Sequence, residues 1–125
     1  MMELQHWIIG PQLIGVIFII TGFIQKRFPP RKINAFYGYR MPSAMKSQQT
    51  WDEANRYAAR YMMRSGVMLT IGGVMITAFL GLLNLDEDTY MMINAMLLIP
   101  SAIGSCVMLV VSTEKHLSRT FDNNI

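Results

Sequence analysis

With 125 residues the chain has length for one domain, and 52% hydrophobic residues against 15% charged is too apolar a balance for an ordinary soluble domain of that size. The net charge of +3 is modest, and the single cysteine, Cys106, lies in an apolar run without a partner. A disulfide framework and a cysteine-based metal site are therefore both excluded.

The apolar residues are gathered into three runs, 7–24, 65–83 and 90–111, none containing Asp, Glu, Lys or Arg. Each is about 18 residues or longer, enough to cross a hydrocarbon core of about 30 Å as a helix. A soluble bundle would carry a polar stripe on every helix, whereas here Ile, Leu, Val and Met occupy all faces. The expectation is an all-α membrane protein in which residues 1–125 form a single domain. It has three transmembrane helices, with a long cytoplasmic loop, 25–64, between the first and second.

Taken in order, the chain opens on MMELQH, which has Glu3 but no Lys or Arg, so it lacks the basic region of a signal peptide, and the first helix is expected to stay attached. Pro11 falls in the first turn, where a missing amide costs least. Gly15 and Gly22, seven residues apart, lie near one face and would let another helix approach closely.

After Ile24 the composition changes abruptly to QKRFPPRK, whose Pro29–Pro30 pair must end the helix. Lys26, Arg27, Arg31, Lys32, Arg40, Lys46, Arg56, Arg60 and Arg64 make this segment strongly basic. The connection between the second and third runs carries Asp86, Glu87 and Asp88 and no cation. By the positive-inside rule the loop and the C-terminal tail are cytoplasmic, and the N-terminus and acidic turn are outside. The expected location is a cytoplasmic membrane, crossed several times.

Within the loop, 33–47 reads as irregular, with a helix start at Ser43 or Ser47. The stretch TWDEANRYAARYMM reads as a helix entering the second span without a break, with Thr50 and Glu53 at capping-box spacing. Trp51, Asn55, Ala58 and Met62 share one face of it. Arg40, beside Gly38, is placed to act as a buried or phosphate-binding guanidinium, with Asp52 or Glu53 as its partner.

Further on, Gly73, Thr77 and Gly81 form a small-residue row, and Pro100 predicts a kink in the third span. The tail from Ser112 is polar and is expected to fray. The small-residue faces favour a compact bundle and a homo-oligomer.

Few residues suggest chemistry. No ionisable group lies deep in a span, which argues against an ion-coupled carrier. Asn94, Thr70, Thr77 and Ser101 read as the strongly polar groups inside, bonded to their own backbone or to a neighbouring helix. No HExxH, GxSxG, Walker or CxxC pattern occurs. His6 and His116 fall on opposite sides of the membrane, and Glu3, His6 and Asp86 to Asp88 read as solvated charge rather than a metal site. Catalytic residues, metal ligands and cofactors are therefore all expected to be absent. Phe36, Tyr37, Tyr39 and Trp51 interleave with the basic residues, a pattern that anionic inner-leaflet lipid accounts for better than nucleic acid does.

At NAFYGYRMPSAMKSQQTWDEANRYA the chain resembles the SdpI family of small bacterial membrane proteins, named for an immunity protein against a secreted peptide toxin. Asn34, Gly38, Tyr39, Arg40, Pro42, Lys46, Ser47, Trp51 and Asn55 carry the resemblance, and Met41 stands where Thr is commoner. The resemblance implies a polytopic membrane protein of toxin immunity or associated signalling, acting by binding rather than catalysis. Its ligand-binding or structural motif would be Asn34, Gly38, Arg40, Pro42, Ser47, Trp51 and Asn55. The partners it suggests, beside membrane lipids, are a peptide toxin and a cytoplasmic protein. The alternative is a lipid-phosphate-binding enzyme or lipid-handling protein using Arg40 with Asn34, Ser47, Trp51 and Asn55 at the inner interface. A third reading is a structural helper docked to a larger membrane complex through its small-residue faces.

Overall fold

The computed structural model describes residues 7–121. The described chain is helical: α1 (Pro11–Arg27), a short 3-10 turn (Ala44–Lys46), α2 (Gln48–Gly81) and α3 (Glu87–Phe121). Of these, α2 and α3 are long and apolar enough to cross a membrane. α1, with 17 residues, starts at Pro11 rather than Trp7 and spans about 26 Å.

Proline at the N-terminal edge of α1 costs no helical hydrogen bond, and the Leu13 amide closes the first turn on the Gly10 carbonyl at 3.0 Å. The helix stops where expected. The Phe28 amide reaches Ile24 at 2.8 Å, and Pro29 and Pro30 have no amide with which to continue.

The cap of α2 falls on the second of the two expected helix starts, Ser43 and Ser47, three residues before the Thr50 that capping-box spacing suggested. Ser47 is the N-cap: its hydroxyl accepts from the Thr50 amide at 3.1 Å, and Thr50 Oγ1 accepts from the Ser47 amide at 3.0 Å. Thr50 thus plays the part that sequence spacing gave to Glu53, because a hydroxyl one turn in can answer a serine cap as a carboxylate does. From there α2 runs unbroken for 34 residues into its apolar half. Asn84, with φ 53°, turns the chain toward α3, whose first turn carries Glu87 and Asp88 at the positive end of the helix dipole.

α1 and α2 pack antiparallel along a seam of small residues spaced by sevens. A Cβ added to Gly15 would come within 2.6 Å of the Gly66 carbonyl, one on Gly66 within 2.6 Å of the Gly15 carbonyl, and one on Gly22 within 2.7 Å of the Ala59 carbonyl. The seam therefore joins Gly15 and Gly22 on α1 to Ala59, Gly66 and Gly73 on α2. A seven-residue repeat keeps a contact line straight between two helices that wind gently around each other. The Gly73, Thr77, Gly81 row serves only in part, because Gly73 and Thr77 are buried but Gly81 is exposed.

α3 meets this pair at its two ends. Tyr90 and Asn94 are buried near its start and Thr113 and Leu117 near its end; between 95 and 112 no residue is buried. The expected fraying does not occur as far as Phe121. Leu117 is 5% exposed against Trp51, Ala54 and Ala58, so the polar-looking tail has an apolar anchor.

Two polar pins cross the apolar seam, both from glutamines. Gln12 Nε2 donates to Thr77 Oγ1 and to the Trp7 carbonyl, each at 2.9 Å. The Tyr90 hydroxyl donates to the Thr77 carbonyl at 3.0 Å, tying α3 to the same point. Gln25 makes the corresponding pin at the other end of α1. Thr70 bonds its own backbone as expected, at the Gly66 carbonyl, 2.8 Å away.

Candidate functional site

Asn55 is the hub of the loop. Its Oδ1 accepts from the Tyr39 amide at 2.5 Å and from Gln25 Nε2 at 3.1 Å, and its Nδ2 donates to the Trp51 carbonyl at 2.9 Å. Gln25 Nε2 also reaches the Asn55 carbonyl at 3.0 Å. All capacity of this buried amide is spent on protein, as a satisfied polar core requires.

The residues around Asn55 explain one another. Gly38 has φ 100°, a region that side chains avoid, and a Cβ there would sit 2.7 Å from Pro30 Cγ and collide with the Asn55 amide. Trp51 is fully buried one turn before Asn55, and its indole N–H donates to the Pro30 carbonyl at 2.6 Å. The tryptophan thereby fastens the Pro-Pro end of α1 to the start of α2. Ala44, Ala54 and Ala58 close the core around it.

Tyr39 carries the connection to α3. Its hydroxyl donates to Glu114 Oε1 at 2.7 Å, and the Ser43 hydroxyl donates to the same oxygen at 2.6 Å. Burial, with the neighbouring Glu114 carboxylate second, holds the Tyr39 phenol well above its usual range. Burial also raises Tyr37, whose hydroxyl donates to the Phe28 carbonyl at 2.6 Å.

The remaining motif residues shape local turns. Asn34 Oδ1 accepts from the amides of Phe36 and Tyr37 at 2.9 and 2.8 Å, and its Nδ2 donates to the Lys32 carbonyl. Pro42 leads into the 3-10 turn, where its carbonyl accepts from the Met45 amide at 3.2 Å, and Ser47 caps α2. The structure thus brings Gly38, Trp51 and Asn55 into one knot, with Asn34, Pro42 and Ser47 supporting the approach to it.

Arg40 stands apart. It is exposed, and its guanidinium donates to the Ala35 carbonyl at 2.5 Å. The expected carboxylate partners lie elsewhere: Asp52 accepts from Gln48 at 2.8 Å, and Glu53 faces Arg56 at 3.0 Å and His116 at 3.4 Å. Neither meets Arg40: Asp52 is turned toward Gln48, and Glu53 toward Arg56 and α3.

Sequence reasoning missed Gln12, Gln25 and Glu114. The two glutamines each lie three residues from a seam glycine, on the face that packs, and that register was the available signal. Glu114 was hidden in a segment that reads as a solvated tail.

Two clefts flank the knot. One, of about 680 Å³, lies between α1 and α3 under the loop and is lined by Tyr37, Tyr39, Arg40, Met41, Met45 and Met62 among others. The other, of about 730 Å³, lies between the end of α1 and the first half of α2. Among the described residues no group of three His, Cys, Asp or Glu side chains could hold a metal. Glu3 and His6 lie outside the described residues, so of the cluster that sequence suggested only Asp86 to Asp88 are seen.

Comparison with known proteins agrees with the motif. The model of the SdpI/YfhL protein family matches residues 31–113, from the basic loop to Thr113 of α3. The uncharacterized protein YfhL of Bacillus subtilis (strain 168) is 38% identical over 103 residues, 82% of this chain and 81% of that protein. No solved structure matches the chain. With the motif knot inside the matched region and two helices fit to span a membrane, the chain belongs to the SdpI/YfhL protein family and is a membrane protein.

Proposed function

We propose that the chain crosses the bacterial cytoplasmic membrane three times, N-terminus outside and C-terminus inside, and protects its host against a membrane-active peptide by binding it. The carrying observation is that the motif's polar groups are spent on one another. Asn55, Trp51 and Asn34 donate to or accept from backbone, leaving a braced platform rather than groups held ready for bond making. Family membership supports the general class.

The cleft between α1 and α3 is the place where a peptide would engage. Its lining mixes methionines and aromatics with one cation, Arg40, and methionine side chains adapt to varied apolar partners. Phe36, 90% exposed, stands at its edge as an unburied aromatic. A cytoplasmic protein could dock on the same loop, and a second copy on the uncovered middle of α3.

The second reading, lipid-phosphate handling by Arg40 with Asn34, Ser47, Trp51 and Asn55, has less support because all five side chains hydrogen-bond within the fold, Arg40 to the Ala35 carbonyl. Expression of the chain in a sensitive host, followed by challenge with membrane-active peptide toxins, tests the leading reading. Survival should rise with the wild type and fall back with Arg40→Ala at equal protein level. Unchanged survival with the wild type sinks it, and altered membrane lipid composition in a deletion strain would favour the second reading.

A further inference from the structure

The second cleft has a different character and a different claim. It opens where α1 reaches its last turn, the level at which a spanning helix meets lipid headgroups. Four cations line its volume of about 730 Å³: Lys26 and Arg31 from the end of α1 and the segment after it, and Arg56 and Arg60 from successive turns of α2. Asp52 is the one carboxylate in the wall. Arg56 shares a surface ion pair with Glu53, whereas among the described residues Lys26, Arg31 and Arg60 have no carboxylate within 4.0 Å.

Such an arrangement repels itself. Like charges one turn apart, as Arg56 and Arg60 are, destabilise a helix, and the last turn of α1 adds the negative end of a helix dipole that offsets only part of the local charge. Cations that outnumber the counter-charges around one cavity raise its potential and draw an anion into it. Arginine in particular matches the paired oxygens of a phosphate.

We propose that this cleft binds the phosphodiester of an anionic glycerophospholipid from the inner leaflet. A phosphate oxyanion is the chemistry that the cations recognise, and two features favour a lipid over the free ion as its source. The cleft is much larger than a phosphate, and beside Gln25, Gln48 and Asn55 its wall has an apolar part formed by Pro29, Pro30 and Ala59. That surface suits a glycerol backbone and the first acyl carbons. Asp52, held by Gln48 at 2.8 Å, supplies an acceptor for a headgroup hydroxyl, which points to a glycerol headgroup. Gln48 also donates to the Arg31 carbonyl at 2.6 Å, so both walls of the cleft are fixed by one side chain. The proposal stands or falls independently of peptide protection.

Native mass spectrometry of the full chain in neutral detergent tests it, with short-chain phosphatidylglycerol, short-chain phosphatidylcholine and inorganic phosphate as probes. Phosphatidylglycerol should bind at least about tenfold more tightly than phosphatidylcholine. Each cation near a membrane surface contributes about fivefold, so Arg31→Gln with Arg60→Gln should weaken phosphatidylglycerol about 25-fold. Lys115→Gln with Arg119→Gln removes the same charge from residues that do not line the cleft and should change binding less than about twofold. Equal binding of the two lipids, displacement by equimolar inorganic phosphate, or an equal loss in this control pair would each overturn the assignment. Should the double variant fail to fold, Lys26→Gln alone must weaken phosphatidylglycerol about fivefold, and no weakening there overturns the proposal as well.

Discussion

The phenol of Tyr39 donates to Glu114 at 2.7 Å, joining the loop to α3 across 75 positions of sequence. Ser43 donates to the same carboxylate oxygen, so one acid on α3 holds both flanks of Arg40 and Pro42. Hydrogen bonds to a charged acceptor contribute about 1.5–3 kcal/mol each, and Tyr39→Phe should cost about 2 kcal/mol of stability at neutral pH.

The same residue gives a pH dependence. Its folded phenol pKa is raised above the ordinary value of 10.0, so the folded state retains a proton that the unfolded state gives up. The stability that Tyr39 contributes is fully present below pH 10 and declines as the pH climbs beyond it. Thermal unfolding in detergent between pH 8 and about 11 should therefore fall less steeply for Tyr39→Phe than for the wild type. Parallel curves would count against the buried hydrogen bond.

Around the hub, Asn55→Ala strands the Tyr39 amide, Gln25 and the Trp51 carbonyl without partners. The expected cost is about 3 kcal/mol, and Trp51→Phe, which frees the Pro30 carbonyl, should cost about 2 kcal/mol. Chemical unfolding followed by circular dichroism reads both. A change of less than about 0.5 kcal/mol in either would mean that the knot does not hold the loop.

The helix seam makes a contrast within one residue type. Gly15→Leu and Gly66→Leu should force α1 from α2 and lower the melting temperature by about 10 °C or more, since overpacking costs about 1–3 kcal/mol and backbone cannot yield. Gly104→Leu on α3, where a Cβ would meet nothing within 4 Å, should leave it within a few degrees. Differential scanning fluorimetry of the three purified variants is sufficient to decide.

Orientation is open to a direct labelling test. In a Cys106→Ser background, a thiol introduced at Lys46 should resist an impermeant maleimide added to intact cells, and one at Asp88 should react with it. The reverse pattern would invert the proposed topology.

The apolar runs made the helices legible, because length and lack of charge are local properties. The face shared by Trp51, Asn55, Ala58 and Met62 was legible for the same reason, and all four are buried. What sequence could not give was the partner of each polar group. Gly15 and Gly22 announce a close approach, but the facing Gly66 and Ala59 belong to another helix, and their register is set only by tertiary contact. Arg40 looked like half of an ion pair because two carboxylates lay within thirteen positions; the helical phase of α2 turns those carboxylates elsewhere. Glu114 was obscured by the opposite error, a polar neighbourhood masking one buried contact.

α2 runs for 34 residues with no internal break, carrying Trp51 and Asn55 at one extremity and Thr77 at the other. A helix of that kind transmits force along its axis, since bending it locally means breaking ladder hydrogen bonds. A ligand that shifts the loop end therefore acts on a lever, and the displacement is delivered to Gln12 and Tyr90 about 40 Å away on the opposite side.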